Sequence, residues 1–140
     1  MHFAQRHLYR AVALIFVLLC AGCRSEPKPE AKQPLIGWRP LESWSGRGDL
    51  TTESFNIEST QWRIKWETRN ETTPDAGTFT VVVHSAVSGR PIALPVEHKG
   101  TGKGVAYVTE DPRLYHLVIE SSAVDWSIRI EEAVIGSARD

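Results

Sequence analysis

From Gln61 to Glu67 apolar and polar residues alternate at every position. In an extended strand this puts Trp62, Ile64 and Trp66 on one face and Gln61, Arg63, Lys65 and Glu67 on the other. Two indoles flanking an isoleucine make a large apolar surface, which only a second layer of structure can cover. The same alternation returns at Trp126-Ser127-Ile128-Arg129-Ile130-Glu131, with the indole and both isoleucines expected inward. Between these runs lie shorter ones. Thr51–Glu58 turns Phe55 and Ile57 inward, Phe79–Ser85 turns Phe79, Val81 and Val83 inward, and Leu114–Ser121 does the same with Tyr115, Leu117 and Ile119. Pro91 and Pro95 bracket Ile92-Ala93-Leu94, which suits an edge strand, and Val105–Thr109 is a further short strand.

The segments between these runs carry turn chemistry. Ser59-Thr60 is expected to close a hairpin into the Trp62 strand, and Gly100-Thr101-Gly102-Lys103-Gly104 a second one. Pro74, Asp75 and Gly77, then Ser88-Gly89, and later Asp111-Pro112, mark further turns. Past Gly22 no stretch of ten or more residues keeps a helical period. The pattern predicts an all-β domain, an antiparallel β-sandwich of seven or eight short strands over residues 42–132. Residues 133–140 are expected to fray.

The N-terminus reads differently. Arg6 and Arg10 precede an uninterrupted apolar run, Ala11–Leu19, and Cys20-Ala21-Gly22-Cys23 follows. A basic start, a short apolar core and small residues before a cut site make a secretory signal, and the run is well short of the roughly 20 residues a spanning helix needs. Ala21-Gly22 before Cys23 looks like a bacterial lipobox, with Cys20 where leucine is usual. Cleavage would leave residues 1–22 as the signal and Cys23 as the lipid-bearing N-terminus; an ordinary signal cut near Ala21-Gly22 is the alternative. Residues 23–41 hold Pro27, Pro29, Pro34 and Pro40 among charged and amide side chains, and read as an extended tether in which Leu35–Trp38 touches the domain. The expected address is the cell envelope, with the membrane as partner through the lipid. Arg24 rather than an aspartate follows the acceptor, which favours the outer membrane or the cell surface in a two-membrane host.

Processing also settles the thiols and the charge. Cys20 and Cys23 are the chain's two cysteines, so the mature domain would have no disulfide, thiolate metal site or cysteine nucleophile. Without Arg6 and Arg10 there are 14 basic against 17 acidic residues, a net of −3, and no basic run argues for nucleic acid.

Trp44-x-Gly46-x-Gly48-x-x-x-Thr52-x-x-Phe55, Trp62-Arg63-Ile64-x-Trp66, Tyr115-x-Leu117 and Trp126-x-Ile128-x-Ile130-Glu131-Glu132 together resemble a family of small bacterial secreted proteins and lipoproteins. The resemblance runs from Trp44 to Glu132. It implies the fold and the compartment and carries no enzymatic activity.

Chemistry-bearing motifs are sparse. There is no Gly-x-Ser-x-Gly elbow, and the glycines at 100–104 lack phosphate-loop spacing. His84, His98 and His116 are the histidines past the signal; His84 and His116 share the face opposite the core, without the close spacing of a zinc site. Asp75, Asp111 and Asp125 lack calcium-loop spacing and read as turn formers. No metal, cofactor or catalytic residue is expected. Trp38, Trp44, Tyr107 and Tyr115 remain as aromatics that could form a sugar platform, and Ala93 marks an edge where a partner strand could add. Three readings follow: a non-catalytic envelope lipoprotein that binds protein or serves a structural role; a carbohydrate- or peptidoglycan-binding module, which would need two exposed aromatics close together among polar groups; and a hydrolase, which would need a polar dyad in a cleft.

Overall fold

A computed structural model describes residues 34–136. Nine strands form two antiparallel sheets, with no helix among the described residues. They are β1 (Leu35–Arg47), β2 (Leu50–Thr51), β3 (Phe55–Ile57), β4 (Gln61–Arg69), β5 (Thr78–Ser85), β6 (Pro91–Lys99), β7 (Gly102–Thr109), β8 (Arg113–Ser122) and β9 (Asp125–Gly136). One sheet runs β1-β9-β4-β7 and is called the front sheet below. The back sheet runs β2-β8-β5-β6, with β3 also paired to β8. The architecture is the expected β-sandwich.

The inward sets are those of the alternation. Trp62, Ile64, Trp126, Ile128 and Ile130 from the front sheet meet Phe79, Val81, Val83, Tyr115, Leu117 and Ile119 from the back sheet, all buried. Phe55 lies against Trp44, Trp62 and Tyr115 at ring-centroid distances of 5.8, 5.8 and 6.3 Å, and these rings fill one end of the core. Trp66 is only half-buried. Its indole lies over Gly104, where a Cβ would stand 2.8 Å from the ring, and it packs on Phe79 and His98.

Five expectations about the chain's course need correction. The tether does not extend to residue 41, nor does fraying start at 133, because Leu35–Pro40 pairs with Glu131–Gly136 along the terminal strands. Each segment supplies the other's backbone partners, and Pro40 is tolerated because β1 is an edge strand with a bulge at Pro40/Glu42. Ser59-Thr60 does not close a hairpin: β3 belongs to the back sheet and β4 to the front. The Gly100-Thr101 turn likewise carries the chain from β6 in one sheet to β7 in the other. Turn residues report where the backbone reverses, and a short turn can serve a hairpin or a sandwich corner equally well. Finally, there are nine strands rather than seven or eight, since the first strand was hidden in the proline-bearing segment and Thr51–Glu58 is split in two.

The split has a local cause. Thr52 N donates to Leu117 O at 3.0 Å, and Thr52 Oγ1 accepts from Leu117 N at 3.0 Å. The side chain replaces the carbonyl in the ladder while the backbone turns toward β3. The Gly46-x-Gly48 pair seats Trp126 in a comparable way. Gly46 faces the indole, where a Cβ would stand 3.1 Å from it, and Gly48 takes φ +85° and accepts the indole N–H at 2.9 Å.

Candidate functional site

Cross-strand register builds an open surface groove on the outer face of the front sheet. Ser43, Arg129, Lys65 and Val105 stand opposite one another across β1-β9-β4-β7, and Ser45, Ser127, Glu67 and Lys103 do so two residues along. Between the two rows runs that of Trp44, Ile128, Trp66 and Gly104, whose side chains belong to the inner face and leave only backbone on the outside. The twelve residues line one open groove of about 720 Å³ that crosses all four strands. Its span is three inter-strand steps, roughly 14 Å. The β1–β9 half is bordered by three serines and Arg129, and Lys65 and Lys103 project along the rest.

The groove is electropositive. Arg129 and Lys103 have no carboxylate within ion-pair distance among the described residues, whereas Glu67 is held by Arg69. The Arg69 hydrogen bond, aided by the charges of Arg69 and Lys103, keeps the Glu67 carboxyl below its usual range. Lys65 lies 3.9 Å from Glu131, which is already engaged by Arg63 at 2.6 Å. Lysine and arginine side chains therefore outnumber the available carboxylates along this trench.

One row beyond it stands an aromatic cluster. Arg63 lies opposite both Glu131 and Tyr107, and its guanidinium sits 4.2 Å from the centre of the Trp38 ring. Trp38 and Tyr107 approach to 5.7 Å between centroids. Burial opposes the Arg63 charge most strongly, but the hydrogen bond to Glu131 and the neighbouring Glu131 charge, with Tyr107 contributing, outweigh it and raise the guanidinium above its ordinary value. Arg63 and Glu131, both outward by parity, are thus a covered ion pair and not a pair of solvated charges; Glu131 is 6% exposed.

The bulge in β1 decides which tryptophan belongs to this surface. Trp38 pairs with Ala133 on the outer face and Trp44 with Ile128 on the inner, although both positions are even, because the extra residue between Pro40 and Glu42 reverses the alternation. Of the four aromatic candidates, Trp38 and Tyr107 are therefore brought together. Trp38 is half-buried beneath Arg63, and Tyr107, 65% exposed, is the open ring. Trp44 does not join them: it closes the sandwich edge on Phe55 and donates its indole N–H to Glu53 at 3.0 Å. Tyr115 is fully buried, with its hydroxyl bonded to the Asp111 carbonyl. Ala93 lies on the expected edge strand but pairs with Val83 and packs against the core, and the irregular register and Pro95 blunt that edge against strand addition. Cys23, the expected lipidation site, lies outside the described residues.

On the back sheet His84 and His116 are a direct cross-strand pair with ring centroids 5.1 Å apart. His84 Nδ1 contacts Gly89 O, and burial, then the charge of His84, pushes His116 below the usual histidine range. No third ligand joins them; among the described residues no group of three or more His, Cys, Asp or Glu side chains could hold a metal.

The sequence did not reveal the role of Glu132. This carboxylate, 1% exposed, accepts from Arg39 and from the backbone N–H of Glu58 at 2.9 Å and of Ser59 at 3.3 Å. It ties β9 to β1 and to the corner between β3 and β4. The signal was the adjacent acid pair Glu131-Glu132 at the end of an alternating strand, where one of the two must face inward.

Comparison of the chain with known protein families, with curated proteins and with solved structures returns no match.

Proposed function

We propose that this protein is a lipid-anchored lipoprotein of the cell envelope whose β-sandwich is a non-catalytic binding module, with the outer face of the front sheet as its binding surface. The observation that carries the reading is the transverse groove, an open trench bordered by Lys65, Lys103 and Arg129 with too few carboxylates to neutralise them. The anchor rests on the basic start, the apolar Ala11–Leu19 run and the Ala21-Gly22-Cys23 sequence. The family resemblance agrees with the same compartment. A partner met on β6 is the less favoured reading, since Pro91 and Pro95 leave that strand without two backbone donors.

Two measurements test the parts separately. Metabolic labelling with a fatty acid is expected to mark the native protein and not Cys23→Ala; failure to mark the native protein would overturn the anchor. For the module, the test is binding to detergent-extracted envelope fragments, in which no bilayer remains to hold the lipid. The native protein and Lys99→Glu are expected to sediment with the fragments, and the Lys65→Glu/Lys103→Glu double variant to stay in solution. Equal sedimentation of the native protein and the double variant would overturn the assignment of the face.

A further inference from the structure

The groove has a chemistry that narrows its occupant. We infer that it holds a segment of an acidic glycan, a sugar chain bearing carboxylates, lying across the four strands of the front sheet. The inference rests on the binding face proposed above and adds the class of ligand.

Four observations lead to it. The trench is open and crosses the whole sheet, so a polymer can enter and leave it, and its span of roughly 14 Å accommodates a few sugar units. Its borders carry both short hydroxyls and long cations: Ser43, Ser45 and Ser127 can exchange hydrogen bonds with sugar hydroxyls, and Lys65, Lys103 and Arg129 can meet carboxylates. Tyr107, exposed and one residue row away, offers a ring face to a sugar that runs beyond the trench. The charge is local, because the 14 basic and 17 acidic residues past the signal sum to −3; recognition therefore depends on contact inside the groove rather than on a long-range field of the kind that steers nucleic acid.

The same geometry weighs against other acidic partners. An extended peptide gains most of its affinity from backbone pairing at a sheet edge. Here the central strands β4 and β9 are each paired on both sides, so a segment lying across the sheet meets no free ladder between the outer edges of β1 and β7. A flat anionic membrane would rest on the tips of the bordering side chains and leave the trench unfilled. A hydroxyl-rich chain requires only the side-chain donors and acceptors that line the groove.

The test uses the full lipidated protein in detergent and measures binding to short polygalacturonate oligosaccharides, to the same oligosaccharides after carboxyl reduction, to polyglutamate, and to glycerophosphoglycerol, the water-soluble headgroup of an anionic lipid. Each charge-assisted hydrogen bond changes affinity by about tenfold. Polygalacturonate is expected to bind at least about tenfold more tightly than its carboxyl-reduced form, and Lys65→Gln/Arg129→Gln to remove that preference while Lys99→Gln keeps it. All three side chains are on the surface, so unchanged melting temperatures show that the variants remain folded. The inference is overturned if polygalacturonate binds no better than the reduced form, if the double variant keeps the preference, or if polyglutamate or glycerophosphoglycerol binds more tightly. Loss of envelope-fragment binding in Lys65→Glu/Lys103→Glu, together with no binding of polygalacturonate, would retain the face and discard the glycan. Envelope-fragment binding that is indifferent to those lysines would discard both.

Discussion

Glu132→Ala is expected to cost roughly 2–4 kcal/mol, a large share of the stability of a domain this small. The carboxylate is buried, and its removal leaves the N–H groups of Glu58 and Ser59 without their acceptor and the half-exposed Arg39 guanidinium with Glu58 as its remaining carboxylate. The loss would reach two places at once, the pairing of the terminal strands and the corner that carries the chain between sheets. Glu132→Gln preserves the shape and isolates the charge. Burial favours the protonated acid, but Arg39 and the two N–H donors outweigh it and hold the carboxyl below its usual range. The unfolded chain therefore binds this proton more readily than the folded one. The group's contribution is complete above the unfolded pKa and fades as pH falls through the lower folded value. Denaturant unfolding at a series of acidic pH values should show a pH-dependent component in the native protein that Glu132→Gln lacks. Equal slopes would show that Glu132 is not the linked group.

Trp62→Ala should be comparably severe, roughly 3–5 kcal/mol, for a different reason. The indole is fully buried, 5.8 Å from Phe55 in an edge-on arrangement and 5.3 Å from Tyr115, so truncation opens a cavity between the two sheets. The indole Nε1 has no hydrogen-bond partner within the described residues. Trp62→Phe consequently removes an unsatisfied donor along with part of the ring, and should cost much less than alanine. Trp66→Ala should also cost less than Trp62→Ala, because Trp66 is only half-buried. Chemical denaturation of the three variants checks the order, and a Trp66→Ala loss equal to that of Trp62→Ala would contradict the burial assigned to the two positions.

The inner faces were legible because burial imposes period two on every central strand, and Trp62, Phe79, Leu117 and Ile130 all follow it. Connectivity was not. Whether Ser59-Thr60 joins two strands of one sheet or turns a corner between sheets depends on Glu132, 73 residues away from Ser59, whose carboxylate accepts the corner's N–H groups. Half of the candidate site was visible. Trp38 and Tyr107 were named from their residue type, and the structure brings them together around Arg63. Trp44 was misplaced because a one-residue bulge reverses the alternation along β1, and no local pattern announces it. The groove itself could not be read from the chain. It needs β1, β9, β4 and β7 set side by side in one register, with Ser43 and Lys103 at opposite ends of a row system that local periodicity never connects.

The most direct measurement of whether the groove is the working surface is amine-reactive labelling of the protein in intact envelopes, compared with the purified protein. Lys65 and Lys103 border the groove, and Lys99 is exposed on the opposite sheet. If the groove is occupied in place, labelling of Lys65 and Lys103 falls several-fold in the envelope relative to Lys99. If all three lysines label equally in both preparations, or if Lys99 alone is protected, the front face is not where this protein meets its ligand.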